Sequence, residues 1–442
     1  MAYHVPEEET LGPLDLQALQ RRKLAALFAR LLPDNRFYAE KFAGLDFDPA
    51  CDPLERLPLT TRAEIQNDQA AHPPYGRNLT FPVERYCRMH QTSGSTGTPL
   101  RWLDTAEDWA WWKRCWAVVL RAAGLTDDDR LMFPFSFGPF VGFWAAFESA
   151  VDLGNFCLPG GGMSTSARLR HLLDHRITVV CCTPTYALRL IEVALSEGLD
   201  LPGSPVRSLI VGGEPGACIP TVRSRIESGW GARLFDHAGM TEVGAWGFQT
   251  PDDATGMYLI ESEFMAEVID PQTLELVDDA EPGELVLTNL GRFGSPLIRY
   301  RTGDRVLLTR NVQHGGRWFA RLEGGILGRT DDMICIRGNN VFPAAVEGIL
   351  RGFSEIVEFR LEVDETGPMA DLRIELEPAT PAAGSGLAER VAEAVSDRLS
   401  FRPRVEVVPP GALPRFEMKA KRLIRRGRPK NPDGATDRKP GG

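Results

Sequence analysis

Thr178-Val179-Val180-Cys181-Cys182 is an uncharged, strand-like run, and it leads almost directly into Pro184–Glu197, where apolar residues recur at helical spacing. A strand feeding a helix is one unit of a layered α/β fold, and the surrounding sequence repeats the unit. Leu131–Phe133, Ser208–Val211 and Arg233–Phe235 are further strand-like runs, with Ala167–Asp174 helical among them. Beyond them, Phe264–Ile269, Gly283–Leu287 and Val306–Thr309, separated by Asp/Pro/Gly turns, predict an antiparallel sheet closing the same body. On the amino-terminal side, the first ninety residues alternate short apolar helices with Pro-rich loops.

From residue 329 the order predicts a small α+β domain: a strand, a helix over Ala344–Leu350, strands over Val357–Val363 and Asp371–Leu376, a helix over Gly386–Leu399 and a strand over Arg404–Val408. The expected division is therefore a large layered domain over residues 1–328, with parallel and antiparallel sheets, and a small one over residues 329–442. Residues 427–442 are basic and rich in Pro and Gly, too poor in apolar area to offset their ordering entropy, and are expected to be disordered.

The chain has 442 residues, too many for one compact core. A net charge of −10 argues against a phosphate-tracking surface and hence against a nucleic-acid partner. Eight cysteines without a C-x-x-C spacing, behind an acidic start, suit free thiols in the cytoplasm. Leu131–Phe147 is uncharged but shorter than a bilayer span and broken by Pro134, Gly138, Pro139 and Gly142, so it reads as core or pocket wall and no membrane association is expected. His171 and His175 lack the glutamate of a zinc-protease helix, since Leu172 stands in its place. Trp109, Trp112 and Trp116, at helical spacing, read as packing.

The chemistry-bearing segments begin at Thr92-Ser93-Gly94-Ser95-Thr96-Gly97-Thr98-Pro99, whose small residues let backbone N–H groups and hydroxyls approach phosphate oxygens. A Ser/Gly linker has a similar composition, and no Gly-Lys-Ser/Thr follows to make a kinase-type P-loop. What separates the two readings is the company: Gly212-Gly213-Glu214-Pro215, His237-Ala238-Gly239-Met240-Thr241-Glu242, Tyr300-Arg301-Thr302-Gly303-Asp304 and Gly328-Arg329-Thr330-Asp331-Asp332, in that order.

Together these segments resemble the adenylate-forming superfamily. Ile298–Asp304, Ile336–Pro343 and the late Pro414-Arg415-Phe416-Glu417-Met418-Lys419-Ala420 resemble the phenylacetate–coenzyme A ligases in particular. The resemblance implies that ATP activates a small aromatic carboxylic acid to an acyl-adenylate, which is passed to coenzyme A. An amine or a carrier-protein thiol is the alternative acceptor. It further implies that Ser93, Gly94, Ser95, Thr96 and Gly97 hold phosphates, that Gly213, Glu214, Pro215 and Asp236 to Met240 line the adenine, that Ile326 lies on the nucleotide and that Asp304 accepts from the ribose. Thr241 and Glu242 would meet phosphate and Mg2+, a hard cation for which one carboxylate plus phosphate oxygens suffices. Lys419 is assigned to the attacking carboxylate and α-phosphate, and Arg329 to phosphate or ribose, because one is a point charge and the other a planar fork. Lys419, Glu242, Arg329 and Thr96 form the catalytic set.

Rotation of a mobile small domain about Gly328–Asp332, with Asp331 as hinge, and a pantetheine path along Gly338 and Asn339 are implied by the same resemblance, as is a homodimer. Phe135, Phe137, Phe140, Trp144 and Tyr186, with Gly212 and Ala238, would wall the acid, although such a stripe serves equally well as core. Ala238 stands where relatives usually carry an aromatic residue, which enlarges the space beside His237 and suits a ring-substituted acid such as an amino- or hydroxybenzoate as well as phenylacetate. Met418 replaces the usual glycine before the lysine.

Overall fold

The computed structural model describes residues 3–427 apart from Pro33, 93–98, 331–333, 337–338, 366–369, Ser400 and 417–419. The chain divides into a large unit, residues 1–331 with 416–420, and a small unit, residues 332–415 with 421–442.

Among the described residues, the large unit is built on a twelve-stranded sheet. One half is parallel, in the order Phe156–Pro159, Arg130–Phe133, Val179–Cys182, Ser208–Gly212, Arg233–Met240. Val179–Cys182 and Ser208–Gly212 are buried throughout, which is why they are continuous apolar runs and not alternating ones. The period of two survives in where the side chains go. Val179, Cys181, Ile210 and Phe235 join the core that holds helix Ala106–Ala122, while Val180, Cys182, Leu209, Val211 and Leu234 join the core of helices Pro184–Glu197 and Pro220–Trp230.

Both kinds of helix are pinned at their starts. Thr105 and Asp108 make a capping box on Ala106–Ala122, and the Thr183 hydroxyl accepts the Tyr186 N–H on Pro184–Glu197. Pro184–Glu197 stops at Gly198, which takes the left-handed conformation at φ 69°. Trp109, Trp112 and Trp116 are buried in the first of the two cores.

The antiparallel half continues through Gly244–Thr250, Asp253–Leu259, Arg321–Glu323, Tyr300–Thr309, Pro282–Asn289 and Phe264–Ile269, with Gly328–Arg329 also pairing with Tyr300–Thr309. Two of these strands differ from the sequence expectation. The run Arg233–Phe235 does not stop but continues to Met240, and the strand over Val306–Thr309 begins six residues earlier, at Tyr300. Cross-strand hydrogen bonds outweigh the glycines and aspartates in those stretches, so the motif residues lie in strands and not in turns.

The small unit carries a four-stranded sheet in the order Arg404–Val407, Asp371–Pro378, Ile356–Asp364, Leu423–Arg426, with helices Pro343–Leu350 and Leu387–Leu399. Leu423–Arg426 was not expected from its basic sequence. It pairs in parallel with Ile356–Asp364, setting Leu423 opposite Leu361. Among the described residues, no helix is long and apolar enough to cross a membrane.

Candidate functional site: the carboxyl ends of the parallel strands

Open α/β sheets bind ligands beyond the carboxyl ends of their strands, and Gly212–Pro215 and His237–Glu242 stand at two of those ends. Ser208–Gly212 ends at Gly212, which is in register with His237 on the next strand. A Cβ on Gly212 would stand 2.8 Å from the His237 carbonyl oxygen, so the approach requires glycine. Gly213 follows at φ 90°, turning the chain so that the Glu214 carboxylate accepts the Thr185 N–H at 2.8 Å.

Asp236 and His237 point to opposite faces of their strand. Asp236 accepts the Cys218 N–H at 3.2 Å, and burial pushes its carboxyl up to about 6. His237 turns toward Trp116, with ring centroids 4.0 Å apart, and its Nδ1 lies 2.8 Å from the Gly247 carbonyl oxygen. Burial pulls the imidazole down to about 4, so the ring is neutral near pH 7. Ala238, the next residue on the strand, is buried and adds only a methyl group.

The segment Thr241-Glu242 is held from beneath. The Arg292 side chain is fully buried and donates through Nη1 to the Thr241 and Glu242 carbonyls at 2.9 and 2.8 Å, and through Nε to Asp104 at 2.7 Å. The buried Glu242 carboxylate accepts from Arg62 at 2.6 Å, and Arg62 also donates to Thr92, the residue that leads into the glycine-rich segment, at 3.2 Å. The charges of Glu242, Arg62 and Arg329 all act on the Tyr300 phenol, which burial first and then Glu242 push upward. On the strand that begins with Tyr300, Asp304 pairs with Arg329 at 2.9 Å, directly across the ladder. Gly303 at φ 75° leaves the space that Arg329 fills, for a Cβ there would stand 2.6 Å from its Nη2. Ile326 packs half-buried against the same core.

The aromatic residues before Gly212 form one cluster. Phe135 meets Phe137, Phe140 and Phe143 edge to face at 5.2, 5.5 and 5.8 Å, and Phe137 meets Trp144 at 4.9 Å. Phe143 in turn touches Trp116 at 5.8 Å, so the rings run from Trp144 to His237. Tyr186 is not part of this run. It belongs to the other core, where its hydroxyl accepts from Arg168 at 2.6 Å and donates to Thr165.

Of the other sequence-predicted residues, Ser93, Gly94, Ser95, Thr96, Gly97, Asp331, Gly338 and Lys419 lie outside the described residues. Asn339 opens the short strand Asn339–Val341 of the small unit. Arg62, Arg292 and Phe143 were not singled out in the sequence, and Trp116 was read as packing. A buried arginine carries no periodicity, and Trp116 was visible only as one member of a helical stripe.

A family model described as AMP-binding enzyme matches residues 58–292, and one described as AMP-binding enzyme C-terminal domain matches residues 338–426. A phenylacetate–coenzyme A ligase of Thermus thermophilus is 31% identical, covering 93% of this chain and 96% of its own. One of Escherichia coli is 30% identical, covering 94% and 96%. A crystal structure of a 2-hydroxyisobutyryl-CoA ligase in the postadenylation state, bound to an acyl-AMP, superposes with a TM-score of 0.88 at 28% identity, covering 95% of this chain and 92% of that one. With both family models in chain order and two relatives matched over nearly their full lengths, the chain belongs to the AMP-binding enzymes, within the phenylacetate–coenzyme A ligase family.

Proposed function

We propose that the chain activates an aromatic carboxylic acid with ATP, forming an acyl-adenylate and pyrophosphate, and transfers the acyl group to coenzyme A. The observation that carries the reading is the convergence of Glu242, Arg62, Asp304 and Arg329 around Tyr300, beside the carboxyl ends of the parallel strands. It gathers two carboxylate–guanidinium pairs, Glu242 with Arg62 and Asp304 with Arg329, groups of the kind that a triphosphate and a ribose require.

In this reading Asp304 accepts the ribose hydroxyls, with Arg329 fixing its carboxylate. Gly213 to Pro215, Asp236 and Ala238 to Met240 line the adenine, Ser93 to Gly97 take the phosphates, and His237, whose ring is turned to Trp116 and the aromatic cluster, is left out of the adenine lining. Magnesium fits the single buried carboxylate of Glu242, where it would offset negative charge on the departing pyrophosphate. Arg62 orients that carboxylate, and Arg292 holds the backbone that presents it. Lys419 neutralises the attacking carboxylate and the α-phosphate, and the in-line arrangement removes much of the entropic barrier.

For the acid, one similar solved structure is a ligase of an aliphatic hydroxy acid, so likeness over the whole chain does not by itself favour a ring. What favours one is the edge-to-face cluster of Phe135, Phe137, Phe140 and Trp144, together with relatives named for phenylacetate. The net charge of −10 suits a cytoplasmic enzyme without a nucleic-acid partner, and the family resemblance makes a homodimer the expected assembly.

The adenylation half is tested by pyrophosphate–ATP exchange without coenzyme A. Exchange dependent on an aryl acid and on Mg2+ is expected, and its absence with every acid tried would contradict the reading. In the second half, Gly338 lines the thiol's path by our assignment. Gly338→Leu is expected to leave exchange within about twofold of the native rate while lowering thioester formation by at least about tenfold, since a side chain there obstructs passage and not chemistry. Equal loss of both rates would remove that assignment.

A further inference from the structure

His237 is buried to 8% exposure, on a strand where Asp236 faces one way and His237 the other. Its Nδ1 faces the Gly247 carbonyl oxygen, which can only accept, so Nδ1 carries the ring proton. With the ring neutral, Nε2 is a bare acceptor, and among the described residues it has no hydrogen-bond partner. A ligand that displaces water from this acceptor must supply a donor in its place, or the acceptor is left unpaired in the complex.

The edge of the ring that carries Nε2 is bordered by two residues without side chains. A Cβ on Gly239 would stand 3.0 Å from Nε2, and one on Gly212 would stand 3.3 Å from Cδ2. Trp116 covers the ring and prevents it from turning away. Through Trp116 and Phe143, the ring sits at the end of the aromatic cluster and not on the Asp236 side, where Cys218 and the segment Gly213–Pro215 lie.

We propose that His237 Nε2 is the specificity-determining acceptor of the acid site, and that the acid is an aromatic carboxylate bearing a hydroxyl or amino donor on its ring. The proposal rests on the ligase reading above. A donor at the right ring position fills the vacancy at Nε2. An acid without one leaves Nε2 dry and unpaired, and sites built to bind a substrate hydroxyl or amine discriminate strongly against analogues that lack it.

The test measures kcat/KM for acid-dependent pyrophosphate release with benzoate and phenylacetate, their ortho, meta and para hydroxy and amino derivatives, and the matching methoxy acids. In the native enzyme one hydroxy or amino isomer is expected to exceed both its parent acid and its methoxy analogue by at least about tenfold. His237→Phe, which keeps the ring's shape, should reduce that ratio to within about threefold while leaving KM for ATP unchanged, and His237→Gln, which restores an acceptor, should recover part of it.

The proposal is overturned if no donor-bearing isomer surpasses its methoxy analogue in the native enzyme, a comparison that needs no variant to fold. It is overturned equally if the preference persists in His237→Phe, or if that variant instead raises KM for ATP, which would place Nε2 against the adenine amino group. Release with no acid at all would remove the ligase reading itself, a result distinct from release that ignores ring donors.

Discussion

Lys419→Ala is expected to lower acid-dependent pyrophosphate release by about 10²- to 10³-fold, the usual loss when one preorganised charge is removed from a developing transition state. The first half-reaction brings a carboxylate against an α-phosphorus that already bears negative charge, and Lys419 is the compact cation assigned to both. The second half-reaction has no such pair, because the carboxylate has become part of a mixed anhydride with AMP, and the incoming thiol attacks the acyl carbon and releases AMP. The variant should therefore convert a supplied aryl-adenylate and coenzyme A to thioester at a rate within about threefold of the native enzyme, since no interaction used in that step has been removed. Normal pyrophosphate release would refute the role, and equal loss of both half-reactions would assign Lys419 to folding or to both steps.

Arg292→Met is expected to destabilise the large unit by about 3–5 kcal/mol, the cost of stranding one member of a buried ion pair. Its partner Asp104 is fully buried, and Oδ2 of that carboxylate already lacks a hydrogen bond, so removal of the guanidinium strips the charge of its hydrogen-bonded partner, with His90 Nδ1 standing 3.9 Å away. Arg292 also lies over the Trp102 and Trp112 rings at 5.4 and 5.5 Å, contacts that methionine only partly replaces. A second change, Asp104→Leu, should restore much of the stability in urea unfolding by removing the orphaned carboxylate. Activity should not return with it. The Thr241 and Glu242 carbonyls would still lack their donor, so the double variant should show a raised KM for ATP at near-native stability. Full recovery of activity would make Arg292 a purely structural residue.

The layered fold was legible because buried parallel strands must be apolar on both faces, and Val179–Cys182 and Ser208–Gly212 show that directly. The lengths of Arg233–Met240 and Tyr300–Thr309 were not legible. Gly239, Gly303 and Asp304 look like turn residues, but Gly239 and Asp304 pair with neighbouring strands, and Gly303, at φ 75°, sits at an irregularity within its strand and does not end it. Strand Leu423–Arg426 was missed for a related reason, as its partner Ile356–Asp364 lies about sixty residues earlier in the chain.

At the site, local motifs carried what backbone shape dictates: the glycines at 212 and 213, the Thr241–Glu242 pair and Asp304. They could not carry groups that arrive from elsewhere. Arg62 reaches Glu242 across 180 residues and Arg292 reaches Asp104 across 188, and neither sits in a pattern of its own. Tyr186 illustrates the converse. Its position before Gly212 suggested the acid wall, but the strand Val179–Cys182 separates the two cores, and helix Pro184–Glu197 packs on the face away from the phenylalanines.

The most direct test of the central claim is to supply ATP, Mg2+ and a panel of aryl acids with and without coenzyme A, and to identify the products by mass. The account predicts an aryl-CoA thioester and AMP when coenzyme A is present, and pyrophosphate release with bound aryl-adenylate when it is absent. Aryl-adenylate alone under both conditions, with no thioester from any acid, would contradict the assignment of coenzyme A as the acceptor.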